Sequence, residues 1–349
     1  MFAPPRCPNP ACTQHASPRA RFFVRNGHYP AKCRAHPVQR FVCKACGRSF
    51  SRQTFRQDYR DHKPHLNAEL FSLLTSGVGL RQSSRLLGLS LRCTELKFRK
   101  IARHARELNR NLRGDLPREV RLQLDELETY EGRRNTRPVT LAVLIERPSR
   151  FMVGAKSAPI PPSGKMSESR LEAIREDEKR FGKRRNESRR AVRAALREGA
   201  RMAQHSSCIV LETDEKSTYP SLAREAFGCE RLVHERTNSK LARGTWNPLF
   251  PINHSEAMAR DLVGRLRRDS WLVSKLRRYL DLGMELYMAY RNYVRRRFNW
   301  DEQSPAQVLG FVERRMTPTE LLSWRQDWGS RSIHPLARRN ESVAELLAA

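Results

Sequence analysis

The first 112 residues change from a strand-like to a helix-like pattern of apolar positions. RFFVRNGHYP and PVQRFVC have the composition and alternation of short β-strands. From residue 65 onward, leucines recur every three or four positions, which predicts three successive helices. Gly77 ends the first helix, Gly88 ends the second, and Ser90 can cap the third. The pattern therefore predicts a small β-unit followed by a helical unit.

A second strand-rich region begins near residue 117. RLQLDELETYE alternates between an apolar and a polar face, and the polar face carries Asp125. RPVTLAVLIE and RFMVGAKS predict two further strands, so the three form an antiparallel meander. A charged helical stretch from about 168 to 204 follows, then the apolar strand CIVLETD. A helix over 217–227, the strand RLVHER and a helical region over 254–298 come next.

The resulting order, β-β-β-α-β-α-β-α, is that of an RNase H-like fold, with a mixed sheet flanked by helices. Two short helices are predicted after Ser304, the second with a capping box that begins at Thr317. We therefore expect a multidomain α+β or α/β protein. Its predicted parts are a zinc ribbon at 1–62, a helix-turn-helix domain at 63–114, an RNase H-like domain at 115–300 with a loop and charged helical insert at 157–205, and a helical extension and tail at 301–349.

The charge distribution narrows the possible partners. The 349 residues include 67 Lys and Arg against 37 Asp and Glu, a net charge of +30. The first 113 residues hold 23 basic and 5 acidic side chains, so this third alone carries +18. Such an excess favours a polyanion, above all nucleic acid. No apolar run of about 18 residues and no signal-peptide core occur. We expect a cytoplasmic, nucleoid-associated protein that does not bind membranes.

Two cysteine pairs predict one structural zinc ion. The pairs are Cys7 with Cys12 and Cys43 with Cys46, and Zn²⁺ favours four such soft ligands in a tetrahedron. Gly47 suits the turn that directs both thiolates of the second pair to one ion. Four unlinked thiols are the alternative. A nearby side chain could also replace Cys7 or Cys12, the candidates being His15, Cys33 and His36.

The third helix of the helical unit is strongly basic. A short helix, a glycine-containing turn and a basic helix form a helix-turn-helix, whose last helix contacts DNA. A small helical packing unit with solvated charges is the alternative. The side chains predicted to contact double-stranded DNA are Arg92, Lys97, Arg99, Lys100 and Arg103.

Two acids occupy comparable positions in the second region. Asp125 lies on the polar face of the first strand, and Asp214 ends the apolar strand. In an RNase H-like order these strands are neighbours, so both carboxylates point to one place and suit two Mg²⁺ or Mn²⁺ ions. Either Asp alone is more often a turn or cap residue. Five nearby glutamates rank lower, although Glu126 or Glu215 could support the site; they are Glu126, Glu128, Glu131, Glu212 and Glu215.

The order of these parts resembles a bacterial insertion-sequence transposase of the DDE class. The resemblance covers about residues 5–300 and is carried by RFVCKACGRSFS, LDELETYEGRRNTR, VLETDEKSTYP and RLRRDSWLVSKLRRYL…AYRNYVRRR. It implies a protein that cuts DNA at the ends of its element and joins the freed 3′ hydroxyls to a target. The spacing from Asp125 to Asp214 is longer than in compact members, because of the charged insert.

The resemblance also implies a third acid on the helix after the last strand. Glu256 and Asp261 are available there, and about 140° around the helix separates them. Glu256 shares its side with apolar residues and lies nine residues before the RLRR run, an offset similar to that in the family. Asp261 has the surroundings of a surface residue, whereas Glu256 could also be an ordinary first-turn acid. We predict Glu256 as the third ligand.

These features together predict a DNA transposase that binds element ends and performs metal-dependent hydrolysis and strand transfer. Its partners would be the element ends and the target DNA, bound by a homodimer or higher oligomer. A transposase-derived regulator with an inactive core is the alternative from another class. A metal-dependent nuclease without strand transfer is the enzymatic alternative.

Overall fold

The fold contains a three-stranded and a five-stranded β-sheet, connected and surrounded by helices. It is known from a computed structural model, which describes residues 2–30, 36–238, 240–242, 244–267, 272 and 274–325.

The N-terminal sheet is antiparallel throughout. Its strands are β1 (Phe23–Tyr29), β2 (Val38–Cys43) and β3 (Ser49–Ser51), and the four-residue helix α1 (Thr13–Ala16) precedes them. The two predicted strands are confirmed, and β3 extends them. The small core of this unit consists of aromatic rings and cysteines, namely Cys7, Cys12, Phe22, Phe41, Cys43, Phe50 and Phe55.

Three helices follow, as the leucine spacing predicts. They are α2 (Asn67–Leu74), α3 (Leu80–Leu86) and α4 (Leu91–Leu112). The hydroxyl of Ser90 accepts a hydrogen bond from the backbone N–H of Cys93 at 3.2 Å. The predicted N-cap of the third helix is therefore confirmed.

The larger sheet is mixed. It begins with an antiparallel meander of β4 (Glu119–Tyr130), β5 (Pro138–Glu146) and β6 (Met152–Pro159). The strands β7 (Cys208–Asp214) and β8 (Leu232–Thr237) are parallel to β4, and the spatial order is β6-β5-β4-β7-β8. The prediction that the first and fourth strands of this region are neighbours is confirmed.

Helices cover both faces of this sheet. One face packs against α4, α6 (Ser188–Met202) and α7 (Tyr219–Phe227). The other packs against α8 (Phe250–Leu262), and α9 (Arg277–Ala289) contributes to both cores from the β6 side. The strand β5 is buried on both faces, which explains its almost uninterrupted apolar sequence.

The helical stretch expected over about 168–204 is confirmed, and it consists of two helices. The first, α5 (Glu168–Phe181), has no buried residue and ends at Gly182. The second, α6, buries a stripe of small and apolar residues against β5 and β6. At Gly199 a Cβ atom would lie 2.7 Å from a methyl carbon of Leu144. The predicted insert therefore contributes one helix to the core.

The helical region expected over 254–298 is also interrupted. The helix α8 ends at Leu262, and the 3₁₀ turn Gly264–Leu266 follows. A Cβ atom at Gly264 would lie 2.6 Å from the carbonyl oxygen of Gly77. The turn after α2 thus packs directly on the end of α8, a tertiary contact that local periodicity does not reveal. The helix α9 continues into a π-helical turn over Tyr290–Val294.

The two C-terminal helices are confirmed as α10 (Pro305–Val308) and α11 (Pro318–Ser323). The capping box predicted at Thr317 is confirmed, and Ser304 forms a second one at the start of α10. The predicted tail after residue 325 lies outside the described residues.

The helix α4 is not an independent surface element. Its apolar stripe belongs to the same core cluster as the inner residues of β4 and β7, and α4 packs along α9. The boundary predicted at residue 114 therefore does not separate two cores.

The expected surface position of Lys97 is wrong. Lys97 is 1% exposed, and its ammonium donates to Asp61 Oδ2, Asn67 Oδ1 and the carbonyl of Lys63 at 2.9–3.0 Å. A lysine can be buried in this way because each of its three N–H groups finds an acceptor. The charge of Lys97 is therefore not available on the protein surface.

None of the helices in the described part of the chain has the length and apolar composition needed to span a membrane.

Candidate functional site

The four predicted cysteines converge in the N-terminal unit. Their sulfur atoms all lie within 4.8 Å of one another, with 3.6 Å between Cys7 and Cys46 and 3.8 Å between Cys12 and Cys43. Four sulfurs about 2.3 Å from a central zinc would be separated by about 3.8 Å. The group could therefore bind a structural metal such as zinc.

The backbone shapes this group from both sides. Gly47 has a φ of 67°, and its N–H donates to the carbonyl of Cys43, as the predicted turn requires. Burial raises the pKa of the Cys7 thiol to about 12, whereas the backbone N–H of Arg48 lowers the pKa of Cys46 to about 7.

The alternative ligands take other positions. The Nδ1 atom of His15 lies 2.7 Å from the carbonyl oxygen of Cys7, so the ring contacts the backbone of the group. His36 is exposed, and Cys33 lies outside the described residues. Among the described residues, the four-membered group therefore contains Cys7 and Cys12 and neither of the two histidines.

The two predicted aspartates lie on adjacent parallel strands. The pairing of β4 with β7 aligns Gln123 with Glu212, and two residues further the same register reaches Asp125 and Asp214. Because side chains alternate along strands, both aspartates face the side of the sheet that α8 covers. Their positions bring the two half-buried carboxylates toward one region, as predicted.

Backbone amides orient both carboxylates. Asp125 Oδ1 accepts from the N–H of Glu126 at 2.7 Å, and Asp214 Oδ1 accepts from the N–H of Lys216 at 3.0 Å. Each of these contacts involves one oxygen of the carboxylate. The arrangement holds two negative charges at corresponding strand positions.

The helix α8 is attached to the sheet beside the aspartates. The N–H of Ile252 donates to Gln123 Oε1 at 2.9 Å, and Gln123 lies two residues before Asp125 on β4. Glu256 is one turn further along the helix, half-buried, with its Oε1 atom shielded from solvent. Asp261 is exposed near the far end of α8, where its carbonyl accepts from Arg267. These positions agree with the surroundings predicted for the two acids.

The three acids do not form a closed cluster. Across the described ranges, the four cysteines are the one group of three or more His, Cys, Asp or Glu residues whose ligand atoms all lie within 4.8 Å of one another. The ligand oxygens of Asp125, Asp214 and Glu256 thus do not all lie within 4.8 Å of one another. Two facing aspartates repel each other, and cations or protons between them reduce that repulsion.

Glu126, which the sequence indicated as a possible support of the site, lies on the opposite face of β4, in a network whose other members the sequence did not indicate. Glu126 accepts from Lys216 Nζ at 2.5 Å, from the hydroxyl of Tyr219 at 3.0 Å and from Thr140 at 2.8 Å. Burial raises the pKa of Tyr219, and the charges of Glu126, Asp125 and Asp214 raise it further. Lys216 therefore touches Asp214 through its amide and Glu126 through its ammonium. In the sequence, the position of Lys216 two residues after Asp214 is the feature that could have indicated this role.

The other acidic neighbours have separate environments. Glu212 is buried and accepts from Arg121 at 2.6 Å, Arg147 at 2.8 Å and Gln123 at 2.5 Å. This carboxylate is fully engaged in a structural ion-pair network. Glu215, beside Asp214, is exposed.

The basic residues of α4 divide into two groups. Arg92 and Arg103 are exposed, as expected. The guanidinium of Arg99 lies 5.2 Å from the ring centre of Tyr279, and Lys100 donates to the carbonyl of Tyr59 at 2.8 Å. With Lys97 buried, only part of the predicted basic surface remains available to a partner.

Compared with known proteins, the chain matches no protein-family model and no curated protein.

Proposed function

We propose that this protein is a DNA transposase of the DDE class with an RNase H-like core. The observation that carries the proposal is the placement of Asp125 and Asp214 at corresponding positions of two adjacent parallel strands, on one face. The helix with Glu256 is hydrogen-bonded to the same strand. The strand order with the first and fourth strands in the middle supports this assignment, as does the net charge of +30.

In this proposal Asp125, Asp214 and Glu256 hold two Mg²⁺ or Mn²⁺ ions. Carboxylate oxygens are the ligands that these cations prefer, so the donor set fits. When bound, the ions activate the attacking oxygen and stabilise the leaving oxygen of a phosphodiester. The amides of Glu126 and Lys216 orient the two aspartates, and the contact of Ile252 with Gln123 positions α8.

The reaction has two balanced steps. In hydrolysis, the oxygen of water bonds to phosphorus and the bond to the 3′ oxygen breaks, which frees a 3′ hydroxyl at the element end. In joining, that hydroxyl oxygen attacks a target phosphodiester and the target's own 3′ oxygen leaves. A carboxylate of the site would accept the proton of the attacking group in each step, and the leaving 3′ oxygen would take up a proton from water.

The N-terminal parts would bind the element ends. We assign one structural Zn²⁺ to Cys7, Cys12, Cys43 and Cys46, because the sulfur spacing fits a tetrahedral ion. The exposed Arg92 and Arg103 on α4 would contact phosphates of the duplex. Cutting two ends together would require a homodimer or a higher oligomer on DNA.

A transposase-derived DNA-binding regulator is the second candidate. It is favoured by one observation, the separation of the three acids beyond the spacing of a closed metal site. A regulator would keep the basic surfaces and the cysteine group while its core no longer performs chemistry.

One assay separates these functions. The purified protein is incubated with Mg²⁺, a supercoiled plasmid and pre-cut duplexes from both ends of the DNA segment that encodes it. Joining of the duplexes to the plasmid supports the transposase, nicking alone indicates a nuclease, and sequence-selective binding without either indicates a regulator. Duplexes of random sequence are the control for end recognition.

A further inference from the structure

A pocket of about 700 Å³ lies beside the acidic site and is not used by the proposed chemistry. Its walls come from the turn between β5 and β6, from the start of α8 and from the segment before α8. Arg121, Arg147 and Arg150 provide the basic side of the pocket. Trp246 and Phe250 provide the aromatic side.

Arg150 has an unusual backbone conformation. Its φ of 63° lies in the left-handed region, in the turn where the N–H of Glu146 donates to the carbonyl of Phe151. Hairpin turns normally place Gly or Asn at such positions, because a Cβ atom is strained there. A strained residue that is not glycine is a reason to look for a function of its side chain.

The guanidinium of Arg150 is also poorly satisfied. Its Nε and Nη1 atoms are shielded from solvent and form no hydrogen bond. Burial lowers the pKa of Arg150 to about 10, and the charges of Arg291 and Arg147 lower it further. Buried donors without acceptors are costly, and an anion in the pocket would satisfy them.

The neighbouring arginines are already neutralised. Arg121 pairs with Glu212 and Glu235 at 2.6 and 2.7 Å, and Arg147 pairs with Glu212 at 2.8 Å. Arg150 forms no ion pair with any described carboxylate, and its guanidinium lies 5.4 Å from the ring centre of Phe298. The pocket therefore presents one cation that is not engaged in an ion pair.

The aromatic side suits a flat, partly apolar group. Trp246 is 97% exposed at the rim, which is unusual for the largest apolar side chain. Phe250 and Pro248 line the pocket next to it. Exposed aromatic rings beside arginines are typical of surfaces on which nucleobases stack while their phosphates are neutralised.

The pocket is close to the predicted acids. Glu212 lines it and lies two residues before Asp214 on the same face of β7, roughly 7 Å away along the strand. Phe250, on the opposite wall, begins the helix that carries Glu256. A nucleic acid strand that crosses the acids would therefore pass this pocket with an adjacent nucleotide.

We propose that this pocket is a nucleotide subsite, in which Arg150 binds a backbone phosphate of a DNA strand and Trp246 stacks on the neighbouring base. The proposal rests on the proposed function in its choice of DNA as the ligand. It assigns to the strained turn a role in holding DNA next to the site of cleavage.

The test measures binding without chemistry. The affinity of zinc-containing protein for a labelled single-stranded oligonucleotide of about 12 nucleotides is measured by anisotropy, with no Mg²⁺. Arg150→Gln is expected to weaken binding about tenfold and to lower the salt dependence by roughly one phosphate contact. Trp246→Ala is expected to weaken it at least fivefold. Arg189→Gln, at an exposed position of α6, removes the same charge and should change it less than twofold.

A second variant separates binding from folding. Arg150→Gly removes the guanidinium and relieves the backbone strain, so it should unfold at the same or a higher temperature while binding as weakly as Arg150→Gln. Equal affinity of Arg150→Gln and the unchanged protein would overturn the proposal, as would an equal loss in Arg189→Gln. The proposal is also overturned if inorganic phosphate raises the unfolding temperature of the protein but both variants bind the oligonucleotide with normal affinity.

Failure of the subsite and failure of the proposed function give different results. If the unchanged protein never joins or cuts DNA but Arg150→Gln loses oligonucleotide binding, the subsite stands and the transposase proposal fails. If the protein joins DNA ends and Arg150→Gln does so with an unchanged KM for DNA, the subsite fails alone.

Discussion

Strand register places Asp125 and Asp214 beside each other, and two backbone amides orient their carboxylates. The alignment of Gln123 with Glu212 places both aspartates on one face, and the amides of Glu126 and Lys216 bind one oxygen of each. A carboxylate that accepts one amide can still ligate a cation with its other oxygen. Removing one negative charge while preserving this shape is therefore the sharpest test of the pair.

We predict that Asp125→Asn and Asp214→Asn each lower cleavage and joining at least 1000-fold with Mg²⁺. Their affinity for duplex DNA should change less than threefold, since the amide keeps the shape and loses only a metal ligand. Product formation on gels and binding by anisotropy measure the two effects.

Glu215→Gln is the matched control, because it removes the same charge at an exposed position next to Asp214. It should retain activity within about threefold. Normal cleavage by either Asp variant, or an equal loss in the control, would show that the pair does not bind the catalytic ions.

The third acid is tested by a pair of variants on one helix. Glu256→Gln should abolish cleavage, because Glu256 is half-buried on the side of α8 toward the sheet. Asp261→Asn should reduce it only weakly, because Asp261 is exposed at the end of α8. Rates are compared at saturating Mg²⁺, and a severe loss confined to Asp261→Asn would move the third ligand there.

Lys97 illustrates how a basic residue can serve stability and not binding. Lys97→Met leaves Asp61 buried without its cation, and we expect a loss of about 3–5 kcal/mol in the free energy of unfolding. Urea denaturation measures this loss. Arg103→Met, at an exposed position of the same helix, should change stability by less than about 0.5 kcal/mol. If the Lys97→Met protein is stable but binds DNA poorly, Lys97 contributes to DNA binding and the prediction is wrong.

At the scale of elements, the strands were predictable and the interruptions of helices were not. Alternation in RLQLDELETYE and the apolar run CIVLETD are local signals, and they located β4 and β7 together with their acids. Just after the end of α8, Gly264 packs against the carbonyl of Gly77, almost 190 residues earlier in the chain. Similarly, the acceptors that bury Lys97 come from three other positions, which helical periodicity cannot reveal.

The N-terminal unit is an element whose stability should depend on metal. Its core consists of a few rings and cysteines, too small to offset the entropy of folding without further stabilisation. We predict about one zinc per chain by metal analysis, which the double variant Cys43→Ser, Cys46→Ser should lose. Cys93→Ser with Cys229→Ser, outside the group, should keep it. Equal zinc contents in both double variants would refute the assignment.

At the scale of the whole molecule, the first and last thirds of the chain share a core. Leu70 and Ile101 belong to the same cluster as Leu122 in the large sheet and Leu321 in α11. The helical unit with α2 and α4 is therefore joined to the acidic sheet through one core, whereas the N-terminal sheet has a core of its own. In the proposed function, DNA bound by α4 would lie in a defined position relative to the acids.

His104 connects α4 to the segment of α11 within this core. Its burial leads to a prediction of how the stability of the protein depends on pH. It is fully buried, its Nε2 atom lies 2.9 Å from the carbonyl of Leu321, and its ring packs on Trp324. Burial lowers the pKa of His104 from 6.5 to about 4. The unfolded chain therefore binds a proton more readily than the folded one between these values. Stability should fall as the pH decreases from 6.5, by about 3 kcal/mol at pH 4.

The variant His104→Gln isolates this contribution, because glutamine can still donate to the carbonyl of Leu321 but does not titrate. His234 and His254, whose pKa values are also lowered by burial, are present in both proteins, so their effects cancel in the difference. The free energy of unfolding of the unchanged protein minus that of the variant should decline between pH 6.5 and pH 4 and be constant above pH 7.5. A difference that is constant over the whole range would mean that the folded protein accepts a proton on His104, and that the joint between α4 and α11 opens to solvent.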